Sequence, residues 1–235
     1  MSPNAHPSSH GLRAIELLRG LPAERLDSLA RECAWRHFDA DKQIISRDAH
    51  DREVHFLVSG RVRVTIYSAA GKQVTFRDVG AGDYFGDIAA IDDEPRTAGV
   101  VALESVLIAS LPPAAFRRLL REEPEIAERV LRRLAGLVRR LSERVIDLST
   151  LGVQNRIHAE ILRHAREAGV ERNTARIDPA PKHADIASQV STAREEVTRE
   201  LSALVRAGVI GKDGRVLVVR DVKRLQRMVN EVKGT

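Results

Sequence analysis

Phe85-Gly86-Asp87-Ile88, followed shortly by Pro95-Arg96-Thr97-Ala98, places a glycine turn, a carboxylate and an arginine in one short loop. The combination suits a small phosphorylated ligand. Gly86 lets backbone N–H groups approach closely, Arg96 can meet a phosphate through a charge-assisted fork, and the Thr97 hydroxyl adds a donor. Asp87 would repel a phosphate, so its expected task is to accept hydrogen bonds from ligand hydroxyls such as those of a ribose. Ile88 and Ala89 complete the candidate ligand-binding set. Gly-Asp turns and Arg-Thr pairs also occur for structural reasons alone, so the flanking sequence decides how much this loop means.

Around the loop, residues 35–111 read as short strands. Val62, Val64 and Ile66 fall on one face, Val74 and Phe76 follow the turn signal Ala70-Gly71, and Gly60, Gly71, Gly80, Gly82 and Gly86 punctuate the run. Such a pattern predicts an antiparallel sandwich or barrel, with Val100, Val101, Leu103, Val106, Leu107 and Ile108 supplying the last strands. Residues 12–34 carry Ile15, Leu17, Leu18, Leu26, Leu29 and Ala30 at helical spacing, broken by Gly20 and Pro22, which predicts two short helices.

After the strands, Pro112 and Pro124 open helical stretches, the second running toward Leu151. Within it Leu131, Leu134, Val138, Leu141, Val145 and Leu148 repeat at spacings of three and four, while Arg132, Arg133, Arg139, Arg140 and Arg144 crowd the other faces. A helix packed on its own domain needs a broader apolar face. The narrow seam therefore predicts a parallel homodimer. A further helix is expected over 154–167, then a polar connection containing Asp178-Pro179-Ala180-Pro181. The expected domains are 12–150 and 151–235.

Charge supports two modules of different character. Residues 1–150 hold 22 Lys+Arg and 22 Asp+Glu, whereas residues 151–235 hold 16 against 11, so the net charge of +5 belongs to the C-terminal part. A basic module joined to a neutral one suggests a polyanion-binding unit controlled by something else. No apolar run is long enough to span a bilayer and the first ten residues lack a signal-peptide pattern, so a cytoplasmic protein without a membrane partner is expected. The single cysteine, Cys33, rules out an internal disulfide and reads as a buried thiol. The eight histidines form no H-x-H or H-E-x-x-H pair, so no metal is expected.

The basic part carries a recognisable order of elements. Residues 183–190 predict a short helix with Ile186 and Ala187 inward, Ser191-Thr192 breaks it, and Thr192-Ala193-Arg194-Glu195 fits a capping box for a second helix ending at Gly208. Val197, Leu201 and Leu204 give that helix a buried face and leave Arg194, Glu195, Thr198 and Arg199 outward, where a recognition helix meets base edges. A Glu195–Arg199 pair serving only the surface would contribute about 0.3 to 0.5 kcal/mol. Next come Val209-Ile210, the Asp213-Gly214 turn and Val216-Leu217-Val218-Val219, a hairpin expected to carry Lys212 and Arg215 at its tip. Helix, turn, helix and hairpin make a winged helix-turn-helix, and the low aromatic content favours double-stranded DNA over RNA.

Taken together, these motifs resemble the CRP/FNR family of bacterial transcription regulators, and within it the cyclic AMP receptor protein branch, over residues 12–229. The resemblance implies an α+β protein: an N-terminal cyclic-nucleotide-binding β-roll (jelly roll), a long dimerisation helix and a C-terminal winged helix-turn-helix. It assigns Gly86 and Asp87 to ribose and phosphate, Arg96 and Thr97 to the cyclic phosphate, and Arg194, Glu195 and Arg199 to a two-fold symmetric TGTGA-like site. Two departures stand out. Asp87 is one methylene shorter than the family's usual Glu, and Leu141-Ser142 replaces a Thr-Ser pair that reads the adenine amino group, so Ser142 can still bond a base but Leu141 cannot. Cyclic AMP is thus the expected effector, with cyclic GMP open as a second ligand through weaker base discrimination. Contact with RNA polymerase also stays open.

The iron–sulfur branch needs a cysteine cluster that is missing here, and Arg96-Thr97 argues against the haem-dependent branch. Three alternatives remain: a regulator answering to another ligand or to none, a cyclic-nucleotide-binding regulatory subunit acting on a protein, and a cupin-like metal-dependent enzyme. The basic helix-turn-helix disfavours the second. No histidine and carboxylate cluster supports the third, so a non-enzymatic role is expected. Arg96→Ala is expected to end the ligand response while leaving the fold intact.

Overall fold

The computed structural model describes residues 9–47, 49–67 and 73–233. The chain divides into two compact units, Met1–Gly136 and Leu137–Thr235. The first opens with helix α1 (Ser9–Arg13), a single 3-10 turn (Glu16–Leu18) and helix α2 (Ala23–Glu32). Gly20, at φ +91°, and Pro22, the residue before α2, separate the turn from the helix.

Its described residues then form the strands β1 (Ala34–Phe38), β2 (Gln43–Ile45), β3 (Val54–Ser59), β4 (Arg61–Tyr67), β5 (Gln73–Gly80), β6 (Tyr84–Phe85), β7 (Gly99–Ala102) and β8 (Val106–Leu111). These pair antiparallel into two sheets, ordered β1-β8-β3-β6 and β2-β7-β4-β5, in line with the antiparallel sandwich or barrel that the alternating pattern predicts and the β-roll that the resemblance implies. Strands β3 and β8 of the first sheet are buried on both faces over most of their length. Val54, Phe56, Ala109 and Leu111 point to the helices, where they meet Leu12, Leu29 and Phe116, while Leu57, Val106 and Ile108 face the other sheet with Val62 and Val100. Period-two burial on both sides explains why β3 and β8 read as apolar runs rather than alternating strands.

Two sequence expectations change here. A register shift between Val64 and Thr65 turns Thr65 into the roll, where it is 2% exposed, and leaves Val64 half-buried, because a bulge moves later side chains to the opposite face. Leu103 lies in the connection between β7 and β8. The Ala70-Gly71 turn falls outside the described residues. Cys33 is buried as expected, and burial, with Glu32 and Glu53 adding to it, pushes its thiol up to about 12.

Helix α3 (Asp87–Asp92) links β6 to β7, and α4 (Pro113–Glu122) leads into the long α5 (Pro124–Thr150). Ile126 and Val130 of α5 are buried in the core of the first unit and Leu134 packs partly against it. Of the expected seam, Leu131, Val138, Leu141, Val145 and Leu148 are exposed, whereas Leu134 turns toward its own core. Arg133 is a second exception, since it is only 18% exposed and binds the first unit instead of solvent.

The second unit contains α6 (Val153–Ala168), β9 (Val170–Glu171), β10 (Thr174–Ile177), α7 (His183–Gln189), α8 (Arg194–Arg206), β11 (Ile210–Asp213), β12 (Val216–Val219) and α9 (Val222–Lys233). Its core joins Ile157 and Ile161 of α6 to Ile186, Val197, Leu201, Leu204, Leu217 and Leu225. The hairpin is part of a larger sheet, β11-β12-β10-β9, and β10 precedes the expected Asp178–Pro181 connection in a stretch to which the sequence pattern assigns no element. Only four residues long and with Thr174 and Arg176 exposed, β10 carries too few apolar residues to be read without its partner. Helix α9 also goes unread in the sequence; it packs Val222, Leu225 and Val229 into this core.

Candidate ligand site and nucleic-acid interface

The glycine turn is enforced twice. Gly86 sits at φ +85° before α3, and a Cβ there would lie 2.6 Å from Arg96 Nη1 and 2.9 Å from the Glu53 carbonyl. That absence of a side chain brings the Arg96 guanidinium against the turn. Arg96 Nη1 donates to the Gly86 carbonyl at 2.8 Å, and Nη2 donates to the Glu53 carbonyl and to Asp51 Oδ2, both at 2.8 Å. The residue is 3% exposed, so it is part of the interior. Its Nε is buried and lacks a hydrogen-bond partner among the described residues.

Asp87, the first residue of α3, is also buried, and its carboxylate makes no side-chain hydrogen bond among the described residues. Ala89 is buried, Ile88 half-buried and Thr97 exposed. Around one turn the fold thus gathers an unpartnered carboxylate, a guanidinium with a spare donor and an open hydroxyl. Those groups fit a ligand that offers sugar hydroxyls and a phosphate.

The sequence gives no hint of the second ring of contacts. His55 on β3 packs its ring 5.1 Å from that of Phe85 and lies 3.4 Å from Arg96 Nη2. The two Nη2 hydrogens go to the Glu53 carbonyl and Asp51 Oδ2, and the other ring nitrogen, His55 Nδ1, lies 2.8 Å from Ser110 Oγ, so the imidazole is held from both sides. Burial first, and then the Arg96 cation, push the imidazole down to about 3. Between pH 6.5 and about 3 the unfolded chain takes up a proton that the folded one refuses. This unit should therefore lose about 1.4 kcal/mol per pH unit as pH falls through that window, with full stability above it. Urea unfolding at pH 7.5, 6.0 and 5.0 checks this, and His55→Gln should flatten the slope; an equal slope in that variant would assign it to other groups.

Arg133 secures the turn from α5. Its Nη1 donates to Asp83 Oδ1 at 2.6 Å, Nη2 donates to the Tyr84 carbonyl, and the guanidinium carbon lies 3.6 Å from the Tyr84 ring centroid. Asp83 Oδ1 also accepts from the Tyr84 N–H at 2.8 Å. Strand β6, immediately before Gly86, is consequently fixed to the long helix by one side chain. A spacing rule for helices could not reveal this, since Asp83 is 50 residues away.

In the second unit Arg194, Glu195, Thr198 and Arg199 are all exposed on α8, while Val197, Leu201 and Leu204 are buried, as the helical spacing predicts. The capping box does not form. Ala193, whose methyl side chain cannot hydrogen-bond, occupies the cap, and the N–H of Thr192, one residue before it, is committed to the Ala187 carbonyl and so closed to Glu195. Nor does Glu195 pair with Arg199; Arg199 Nη2 bonds Glu196 Oε1 at 2.5 Å. Thr198 Oγ1 donates to the Arg194 carbonyl, so it must accept from His183 Nδ1–H at 2.8 Å.

Glu200, which no apolar pattern marks, is buried on the inner side of α8 and accepts from Gln154 Nε2 at 2.9 Å, with His158 Nε2 at 2.7 Å. This polar anchor opposes rotation of α8 about its axis. The hairpin turn is Gly214-Arg215, one residue later than expected, with Asp213 still paired to Val216. Arg215 is at the tip, 3.1 Å from Asp178, whereas Lys212 sits on β11 opposite Leu217. Burial first, then the charges of Lys212 and Arg194, lower the affinity of His183 for a proton.

Comparison with known proteins agrees with both halves. Residues 35–123 match the Cyclic nucleotide-binding domain family and residues 155–228 match the Crp-like helix-turn-helix domain family. The chain belongs to the CRP/FNR family of transcription regulators. It is 24% identical over 212 residues to the CRP-like cAMP-activated global transcriptional regulator of Mycobacterium tuberculosis, covering 90% of this chain and 95% of that one. It is 26% identical over 222 residues to the Cyclic AMP receptor protein of Thermus thermophilus, covering 92% and 98%. Among solved structures, CooA from Carboxydothermus hydrogenoformans superposes with a TM-score of 0.78 at 17% identity, covering 97% of this chain and 98% of that chain, a likeness of fold.

As a CRP/FNR member the chain is a DNA-binding transcription regulator that responds to a cyclic nucleotide, and the proteins it matches are regulators rather than enzymes. Among the described residues no helix is long and apolar enough to cross a membrane, and no group of His, Cys, Asp or Glu is placed to hold a metal ion.

Proposed function

We propose that this regulator is a homodimer whose affinity for a two-fold TGTGA-like DNA site is raised by cyclic AMP. The observation that carries the ligand assignment is the pairing, across Gly86, of the unpartnered Asp87 carboxylate with the buried Arg96 guanidinium and its spare Nε. Arg96 and Thr97 take the cyclic phosphate and Asp87 a ribose hydroxyl. The family pattern alone assigns the base to Ser142. There the hydroxyl donates to the Val138 carbonyl at 3.0 Å, which leaves it an acceptor and suits the exocyclic amino group of adenine better than the carbonyl of guanine. Leu141 adds only an apolar surface, and cyclic GMP is the weaker ligand.

Exposed Leu131, Val138, Leu141, Val145 and Leu148 support the dimer, since a row of apolar residues at heptad spacing gains most by meeting its own copy. Arg194, Glu195, Thr198 and Arg199 would face base edges, and Lys212 and Arg215 would meet phosphates.

Fluorescence anisotropy of a labelled duplex carrying the two-fold site tests the whole scheme. Binding is expected to tighten by about tenfold or more with cyclic AMP, within the usual range of allosteric coupling, and less with cyclic GMP. Equal binding with either nucleotide and with none would reject it, leaving a regulator that answers to another ligand or to none.

A further inference from the structure

Asp51 lies outside the family pattern, yet it is the only ionic partner of Arg96 among the described residues, at 2.8 Å. The two side chains differ sharply in exposure, 3% for the arginine and 44% for the aspartate. The close acceptors besides Asp51 are the carbonyls of Gly86 and Glu53, which belong to the backbone and cannot leave without unfolding the turn, while the buried His55 Nε2 lies farther off at 3.4 Å. Asp51 is held by one side-chain rotation and is reached from solvent. The Arg96 N–H also donates to the Ala49 carbonyl at 3.1 Å, and Arg52 lies 3.3 Å from Asp93, so the segment that presents Asp51 is docked beside the phosphate-binding residues.

A carboxylate and a phosphodiester offer a guanidinium the same thing: an anionic oxygen that accepts a charge-assisted hydrogen bond. We propose that Asp51 is an internal competitor of the ligand's phosphate, which must displace the Asp51 carboxylate from Arg96 Nη2 to occupy the site. The inference rests on the cyclic-nucleotide reading above. When displaced, the carboxylate turns to water at little cost because it is already half exposed. The paired state lowers the apparent affinity by the fraction of molecules in which Arg96 is available. Asp51 thereby sets the nucleotide concentration at which the regulator responds, without touching the nucleotide.

Isothermal titration of the full chain with cyclic AMP and with cyclic GMP, at fixed ionic strength, tests the proposal. Asp51→Asn and Asp51→Ser should each bind cyclic AMP about tenfold more tightly than the unsubstituted protein, while Asp51→Glu, which keeps the charge, should stay within about threefold. Glu53→Gln serves as the control for general charge, because the Glu53 side chain lies 4.0 Å from Arg36 and is not a side-chain partner of Arg96. A gain in Glu53→Gln equal to that in Asp51→Asn, or binding by Asp51→Asn that is unchanged or weaker, would overturn the competition while leaving the nucleotide reading in place. If neither nucleotide binds the unsubstituted protein or Asp51→Asn at millimolar concentration, the reading falls and the competition with it. Thermal unfolding checks that each variant is folded.

Discussion

Arg96→Ala is expected to abolish nucleotide-stimulated DNA binding and to destabilise the first unit by about 2–4 kcal/mol. Sequence reasoning anticipates only the first effect, with the fold left intact. The second arises because the guanidinium satisfies the carbonyls of Gly86 and Glu53 from a position that is 3% exposed. Its removal strands both acceptors and leaves a void beside the turn. Asp51 loses its cation too, but at 44% exposure it can be solvated and adds little to the cost. Arg96→Lys should recover only part of the stability, since an ammonium has no planar fork with which to serve both carbonyls. Urea unfolding together with duplex anisotropy separates the two effects. Normal nucleotide-dependent DNA binding by Arg96→Ala would reject the site assignment.

Arg194→Ala should weaken DNA binding by about 1–3 kcal/mol and relax base preference at one position in each half-site. Among the described residues the Arg194 side chain makes no hydrogen bond or ion pair, and it is exposed at the first turn of α8. It therefore has no internal partner to give up on meeting a guanine. Arg199 differs, because binding a base would first break its contact with Glu196. The Glu200 anchor to His158 and Gln154 keeps the outer face of α8 fixed, so truncating Arg194 should cost a contact without reorienting the helix. Titrations against duplexes substituted at each half-site position give the readout. An unchanged base preference would place the reading helix elsewhere in the second unit.

Both predictions start from residues whose chemistry is visible in the linear chain. What the sequence hides is which groups those residues already serve. Helical spacing identifies the inner face of α8 through Val197, Leu201 and Leu204, yet Glu200 shares that face and no apolar pattern marks it. Alternation locates β4 but misses the bulge that turns Thr65 inward. The Thr192 capping box satisfies a residue pattern and fails in three dimensions because its backbone is bonded elsewhere.

By itself the sequence determined the order of modules, the left-handed turn that only Gly86 serves well, the basic helix-turn-helix and the apolar row on α5, because these depend on local spacing and on the conformational reach of single residues. Only the tertiary structure decided that Arg96 is buried against Asp51 and two carbonyls, that His55 stays neutral beside it, and that Arg133 ties the turn to α5. Asp51 and His55 lie 45 and 41 residues from Arg96. Burial and charge pairing follow from which strands become neighbours, a property that no window along the chain contains.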